Sequence, residues 1–251
     1  MSLAVILAAS AASAPVLHYL RTNSDGSEAE AVVVFAPAPG AVHVFKSRSR
    51  CTNAAYVTGE LDPESGQALA LVGGRLGRDL AQQPFAWLAR DADGVLRARL
   101  GAPDAPPAFE VPVGPRWVQY DFDFSDLIAH PPAEVLRRES FAFDLPLILM
   151  GEAGPSFVNR GQFRLEYTGT ADRAGEEVLS YRATGPALGD GAGKLLFGAA
   201  DGRLVEADLP LPNHAEYSDF RLRLVSREQG EDAWRRALAA HWEGCPEPES
   251  E

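Results

Sequence analysis

The densest group of chemically capable residues is Asp121-Phe122-Asp123-Phe124-Ser125-Asp126. Three carboxylates so close together could hold a hard cation such as Ca²⁺. The glycine and distal glutamate of an EF-hand loop are missing, and the alternation with aromatic residues has a plainer reading as a strand, given below. Asp91, Asp93 and Gly94 form a second acidic group that a hairpin turn explains fully. Gly189-Asp190-Gly191-Ala192-Gly193-Lys194 has the glycines and lysine of a phosphate loop. However, Leu195 follows where Ser or Thr is required, and a β pattern continues where a helix must begin. It reads as a hairpin loop.

His18, His43, His130, His214 and His241 show no HExxH or paired spacing, so the sequence predicts no metal site and no cofactor. His214 lies in the proline-rich stretch LPLPNHAEYSDF between two β patterns. With Asp219 it is the best candidate for loop-borne catalysis of a hydrolase type. No GxSxG elbow accompanies it, although Ser156 follows Gly154-Pro155. No nucleophile, and hence no catalytic residue, is assigned. Arg50 and Asn53 flank Cys51, where they serve either a ligand or local packing around a disulfide.

Cys51 and Cys245 are the only cysteines. They sit in no CxxC or zinc-like spacing, and the reading is a disulfide. Closing so long a loop contributes up to about 5 kcal/mol in the chain-entropy account. Compartment and cysteine use agree. Leu3 to Ala14 is small or apolar apart from Ser10 and Ser13, the length of a signal-peptide hydrophobic region and too short to span a bilayer. Residues 1–14 are therefore read as a signal peptide, with cleavage after Ala11, and the mature protein as periplasmic or secreted. No later stretch is apolar enough for a transmembrane span. The formal net charge of -12 and pI near 4.9 repel phosphate backbones and anionic membrane surfaces, which excludes nucleic acid as a partner. Lys46 and Lys194 are the only lysines.

The elements that must position these residues are mostly strands. Short apolar runs alternate with turn signals throughout. Ala31 to Phe35 reads AVVVF, a buried strand, and Val42 to Phe45 follows a Pro-Gly turn. Ala54–Leu61 and Ala68–Val72 flank Asp62-Pro63-Glu64-Ser65-Gly66, and Phe85–Ala89 and Val95–Leu100 flank Asp91 to Gly94. Trp117 to Phe124, WVQYDFDF, has the sharpest alternation. It predicts a strand with Trp117, Gln119, Asp121 and Asp123 on a solvated face and Val118, Tyr120, Phe122 and Phe124 on a buried one. Ser140 to Met150 is strand-like, with Pro146 marking an edge or a bend. Further strands are expected over 162–167, 177–183, 194–197, 204–209 and 220–225. Helices are few: 126–129 and 132–138 are short candidates. Residues 231–243 form an amphipathic C-terminal helix with Trp234, Leu238, His241 and Trp242 near one face. The expected fold is mainly β, a large antiparallel meander forming a half-barrel or open barrel. A single domain spans 15–245, and a mobile tail follows over 246–251.

Residues 15 to 243 resemble, in organisation, the half-barrel proteins of the bacterial envelope, namely the lipoprotein carrier and receptor group and related periplasmic families. The resemblance is carried by the strand run from Gln162 to Leu209, the turn Ala200-Asp201-Gly202-Arg203, and Asp219 to Val225. It is architectural and transfers no functional residue. It implies a curved sheet that holds an acyl chain in its concave face. The lipobox cysteine of a lipoprotein is absent.

Three functions fit this reading: a non-catalytic protein binding a lipid, another apolar ligand or an envelope component; a hydrolase with loop-borne residues; or a structural or interaction module. A deep apolar cavity would favour the first, converging His, Asp and hydroxyl groups the second, and a filled core the third. The export reading makes its own prediction. N-terminal sequencing of protein from its native host should begin near Ala12, and a mature chain that retains Met1 or Ser2 refutes it.

Overall fold

The computed structural model describes residues 14–151 and 154–247. The expected signal peptide lies outside them except for Ala14, as do residues 248–251 of the expected tail. Eight strands come first: β1 (Pro15–Thr22), β2 (Glu30–Phe35), β3 (Ala41–Ser47), β4 (Ala55–Leu61), β5 (Ala68–Leu76), β6 (Gln82–Arg90), β7 (Val95–Leu100) and β8 (Phe109–Pro112). Six follow the central segment: β9 (Phe141–Gly151), β10 (Gly154–Arg173), β11 (Glu176–Thr184), β12 (Gly193–Gly198), β13 (Leu204–Leu209) and β14 (Phe220–Gln229). All join one antiparallel sheet in the order β8-β7-β6-β5-β4-β3-β2-β1-β14-β13-β12-β11-β10-β9.

The chain thus lays down one half of the sheet as a meander, crosses over, and lays down the other half back towards its start. β14 pairs with β1 over Pro15–Thr22 and so joins the halves in the middle. The sheet rolls into a nearly closed barrel whose free edges, β8 and β9, meet at a seam. Pro146 lies in the edge strand β9, where its missing N–H costs no ladder bond. The seam is tied at one level. Trp117 bridges Asp144. Asp144 Oδ2 accepts from Gly114 N at 2.7 Å and from Asn159 Nδ2 at 2.9 Å, and Asn159 Nδ2 also donates to Pro112 O at 3.1 Å.

Two apolar layers follow from the alternation of each strand. Inward residues of β1 to β3 (Leu17, Tyr19, Val32, Val34, Val42, Val44) join the barrel core. Outward Val16, Val33, Phe35 and Phe45 join a second cluster under α3 (Glu231–Trp242). The unbroken AVVVF run of β2 is thereby explained, because both of its faces are covered. Trp234 is 4% exposed and stacks on Phe35 with ring centroids 5.5 Å apart. The Cys51–Cys245 disulfide ties the end of this helix to the loop after β3. The same loop donates Cys51 N to His241 O at 3.2 Å and a guanidinium bond from Arg50 to Glu243 O. At the described end of the tail, Arg78 bonds to Pro246 O.

One expectation is overturned. Residues 117–124 are not a strand, and their carboxylates are not solvated. After the Trp117 bridge the chain turns inside the barrel, forms a 3-10 turn over Tyr120–Phe122, and continues into α1 (Ser125–Ala129). The short helix α2 (Ala133–Arg137) follows, so both short helices are found where the sequence placed them. Tyr120, Phe124 and Ile128 are completely buried among the inward faces of the sheet. Tertiary surroundings override the period-2 pattern here. A segment enclosed on every side buries both sets of alternating residues, and its polar ones must find partners inside.

Because Trp234 fills the outer layer, Trp234→Ala should cost about 3–5 kcal/mol of stability. A denaturant titration reads this as a sharply lowered midpoint. An unchanged midpoint would mean that the helix does not contribute to the core.

Candidate functional site

Three neighbouring strands each point one charged residue into the barrel at the same end. Arg21 is in phase with Leu17 and Tyr19, Glu30 with Val32 and Val34, and Lys46 with Val42 and Val44. The register sets Arg21 opposite Glu30 and Lys46 opposite Val32. The interior segment adds Asp121 and Asp123, and the loop between β13 and β14 adds Asn213, His214 and Tyr217.

The cluster is closely bonded. Lys46 Nζ lies 2.8 Å from Asp123 Oδ2 and 3.5 Å from Glu30 Oε2. It is 3.1 Å from His214 Nε2 and donates to Asp121 O at 3.4 Å. Asn213 Nδ2 donates to Asp123 Oδ1 at 3.0 Å, while its Oδ1 accepts from Arg21 Nη2 at 2.8 Å. The Arg21 guanidinium also lies over the Tyr217 ring, 3.1 Å from its centroid, and Tyr217 donates its hydroxyl to Glu30 at 3.2 Å. Arg21, Asp123 and Asn213 are fully buried. Two cations and two carboxylates balance here, as buried charges must.

Burial opposes the Lys46 ammonium, but Asp123 and Glu30 outweigh it and raise its pKa. His214 is held down to about 4 by burial and by the Lys46 charge, so its ring is neutral and accepts from Lys46. Burial pushes Asp121 up to about 8 and Asp126 up to about 7.

The three aspartates that the sequence grouped as a cation candidate serve three different partners. Asp121 Oδ2 accepts from the edge N–H of Ile148 at 3.0 Å. Asp123 takes Lys46 and Asn213. Asp126 accepts from Gln119 N at 3.1 Å and Leu127 N at 3.0 Å. Among the described residues, no group of three His, Cys, Asp or Glu is arranged to hold a metal ion. His214 faces Lys46, whereas Asp219 accepts from Ser24 N at 2.7 Å, so these two candidates are engaged separately. The loop around Cys51 serves the helix anchor described above.

The interior segment is strained where it meets Lys46. Asp123 and Phe124 both have left-handed backbone, with φ of 57° and 59°. Aspartate tolerates this conformation, but a phenylalanine there is a genuine outlier, of a kind that costs about 1–3 kcal/mol. It persists because the Phe124 ring packs against Tyr120, Phe163 and Phe220.

Sequence reading missed Arg21, Glu30 and Lys46 as a cluster. The available signal was a charge in phase with inward apolar residues at the same end of three adjacent strands, one of them Lys46 in a chain of two lysines. The chain matches no known protein family, and no curated protein matches it.

A carboxyl with a raised folded pKa binds its proton in the native state while the unfolded chain has lost it, so stability falls as pH rises from the unfolded towards the folded value. His214, with its folded pKa depressed, acts oppositely between about 4 and 6.5. From pH 6.5 to 8 the aspartates act without that opposition. Chemical denaturation should show stability falling with pH across this window, and Asp121→Asn should flatten the fall by about 1–2 kcal/mol. Parallel curves for the two proteins would refute the buried protonated Asp121.

Proposed function

We propose that the protein is a non-catalytic, exported binding protein that takes an apolar ligand at the seam of its barrel. The observation that carries this is the incomplete covering of apolar side chains along the seam. Leu100, whose pairing with Ala86 puts it on the side of Leu96 and Ala98, is 47% exposed. Phe109, Phe122 and Phe157 pack against the core yet are only partly buried. Export is supported by the Cys51–Cys245 disulfide, which fits an oxidising compartment, and by the apolar run from Leu3 to Ala14. No described helix is long and apolar enough to cross a membrane. The resemblance to envelope half-barrel proteins points to the same class of ligand, with one difference in design: here the chain's own segment occupies the concave face.

That filling favours a second reading, a structural or interaction module that holds no small molecule. Native mass spectrometry of mature protein from its own host, followed by organic extraction, separates the two. The expected result is an apolar molecule at about one per chain, released by solvent. A bare chain with nothing extractable supports the module instead.

A further inference from the structure

Trp117, Gln119 and Asp121 are 2%, 3% and 8% exposed. Each carries a buried polar atom without a hydrogen-bond partner: Trp117 Nε1, Gln119 Nε2 and Asp121 Oδ1. Unpaired buried polar atoms are uncommon and each costs stability. All three residues line one slot beneath the seam, whose apolar walls are Leu71 and Leu88 on one side and Pro146 and Phe157 on the other.

The chemistry of the three atoms is matched. The indole and the amide nitrogen only donate. Asp121 keeps its proton up to about pH 8, and because its Oδ2 already accepts from Ile148 N, that proton belongs on Oδ1. At neutral pH the three residues bordering the slot therefore hold three unpaired donors, a set matched by a compact group with several lone pairs. A single water accepts two hydrogen bonds. A carboxylate has two oxygens and about four acceptor sites.

The walls belong to opposite ends of the sheet, β5 and β6 against β9 and β10. Backbone pairing across the seam is confined to the level of Asp144, and Pro146 above it has no N–H to extend the ladder. As it stands the slot encloses only about 10 Å³, roughly one water, so an occupant must part the walls. The apolar contacts between Leu71, Leu88, Pro146 and Phe157 are ones an alkyl chain replaces in kind, while the bonds at Asp144 and from Ile148 N to Asp121 hold the seam beside them. Phe122, which also lines the slot, marks the way out to the partly exposed rings of the seam.

We propose that this slot binds the carboxyl head of a long-chain carboxylic acid, with Trp117, Gln119 and Asp121 as its donors and the chain running out between Leu88 and Phe157. This rests on the apolar-ligand reading above and adds the head group to it. Isothermal titration of the full mature protein with decanoic acid and with methyl decanoate tests it. The acid should bind at least about tenfold more tightly than the ester, which leaves a buried donor unmatched. Trp117→Phe, which keeps the ring and removes one donor, should weaken the acid several-fold and leave the ester unchanged. Equal affinity for acid and ester overturns the head-group assignment and leaves apolar binding standing. No binding of either probe overturns both.

Discussion

The interior of this protein is organised around the ion pair between Lys46 and Asp123. An ammonium taken out of water is expensive unless a carboxylate meets it at close range and further bonds satisfy both groups. Here Lys46 comes from the wall of the barrel and Asp123 from the segment that fills it. Their separation of 2.8 Å fixes the depth at which that segment sits. Asn213 then bonds Asp123 to Arg21, and Tyr217 bonds to Glu30, so the loop between β13 and β14 closes over the same charges. Three strands, one loop and the interior segment share one polar junction.

The geometry of that junction explains the strain beside it. To present its carboxylate to Lys46 and then return as α1, the chain reverses within two residues. Asp123 and Phe124 take the left-handed conformation to do so. The cost is offset by the aromatic packing of Phe124 and Tyr120 and by the hydroxyl bond from Tyr120 to Leu211 O. Polar groups on the same segment that do not reach the junction are left at the seam. The polar junction and the orphaned atoms of the slot are thus two results of one fold-back.

The outer layer is built by different means. α3 has no share in the polar junction. It is held by apolar contact with β1 to β4, by His241 between Ser47 Oγ at 3.1 Å and Thr52 O at 2.8 Å, and by the disulfide. This layer keeps the outward faces of the first strands dry, which permits the continuous apolar sequence of β2.

Much of this was legible in the residues. Alternation located most strands, because a side chain's face depends only on the local pleat. Pro146 marked an edge, because a missing N–H is a property of the residue itself. The C-terminal helix showed its stripe, and the two cysteines paired as their isolation implied. The alternation over 117–124 misleads, pointing to a strand with Trp117, Gln119, Asp121 and Asp123 on a solvated side where the structure has a buried turn. The burial of that side was not legible, nor was the cluster of Arg21, Glu30 and Lys46. Whether an aspartate faces water or a lysine is decided by what lies across from it. For Asp123 that partner stands 77 positions away in sequence, on a wall that exists only once fourteen strands have rolled together. Local chemistry set the elements and their faces, and the closing of the sheet around its own chain decided which faces became interior.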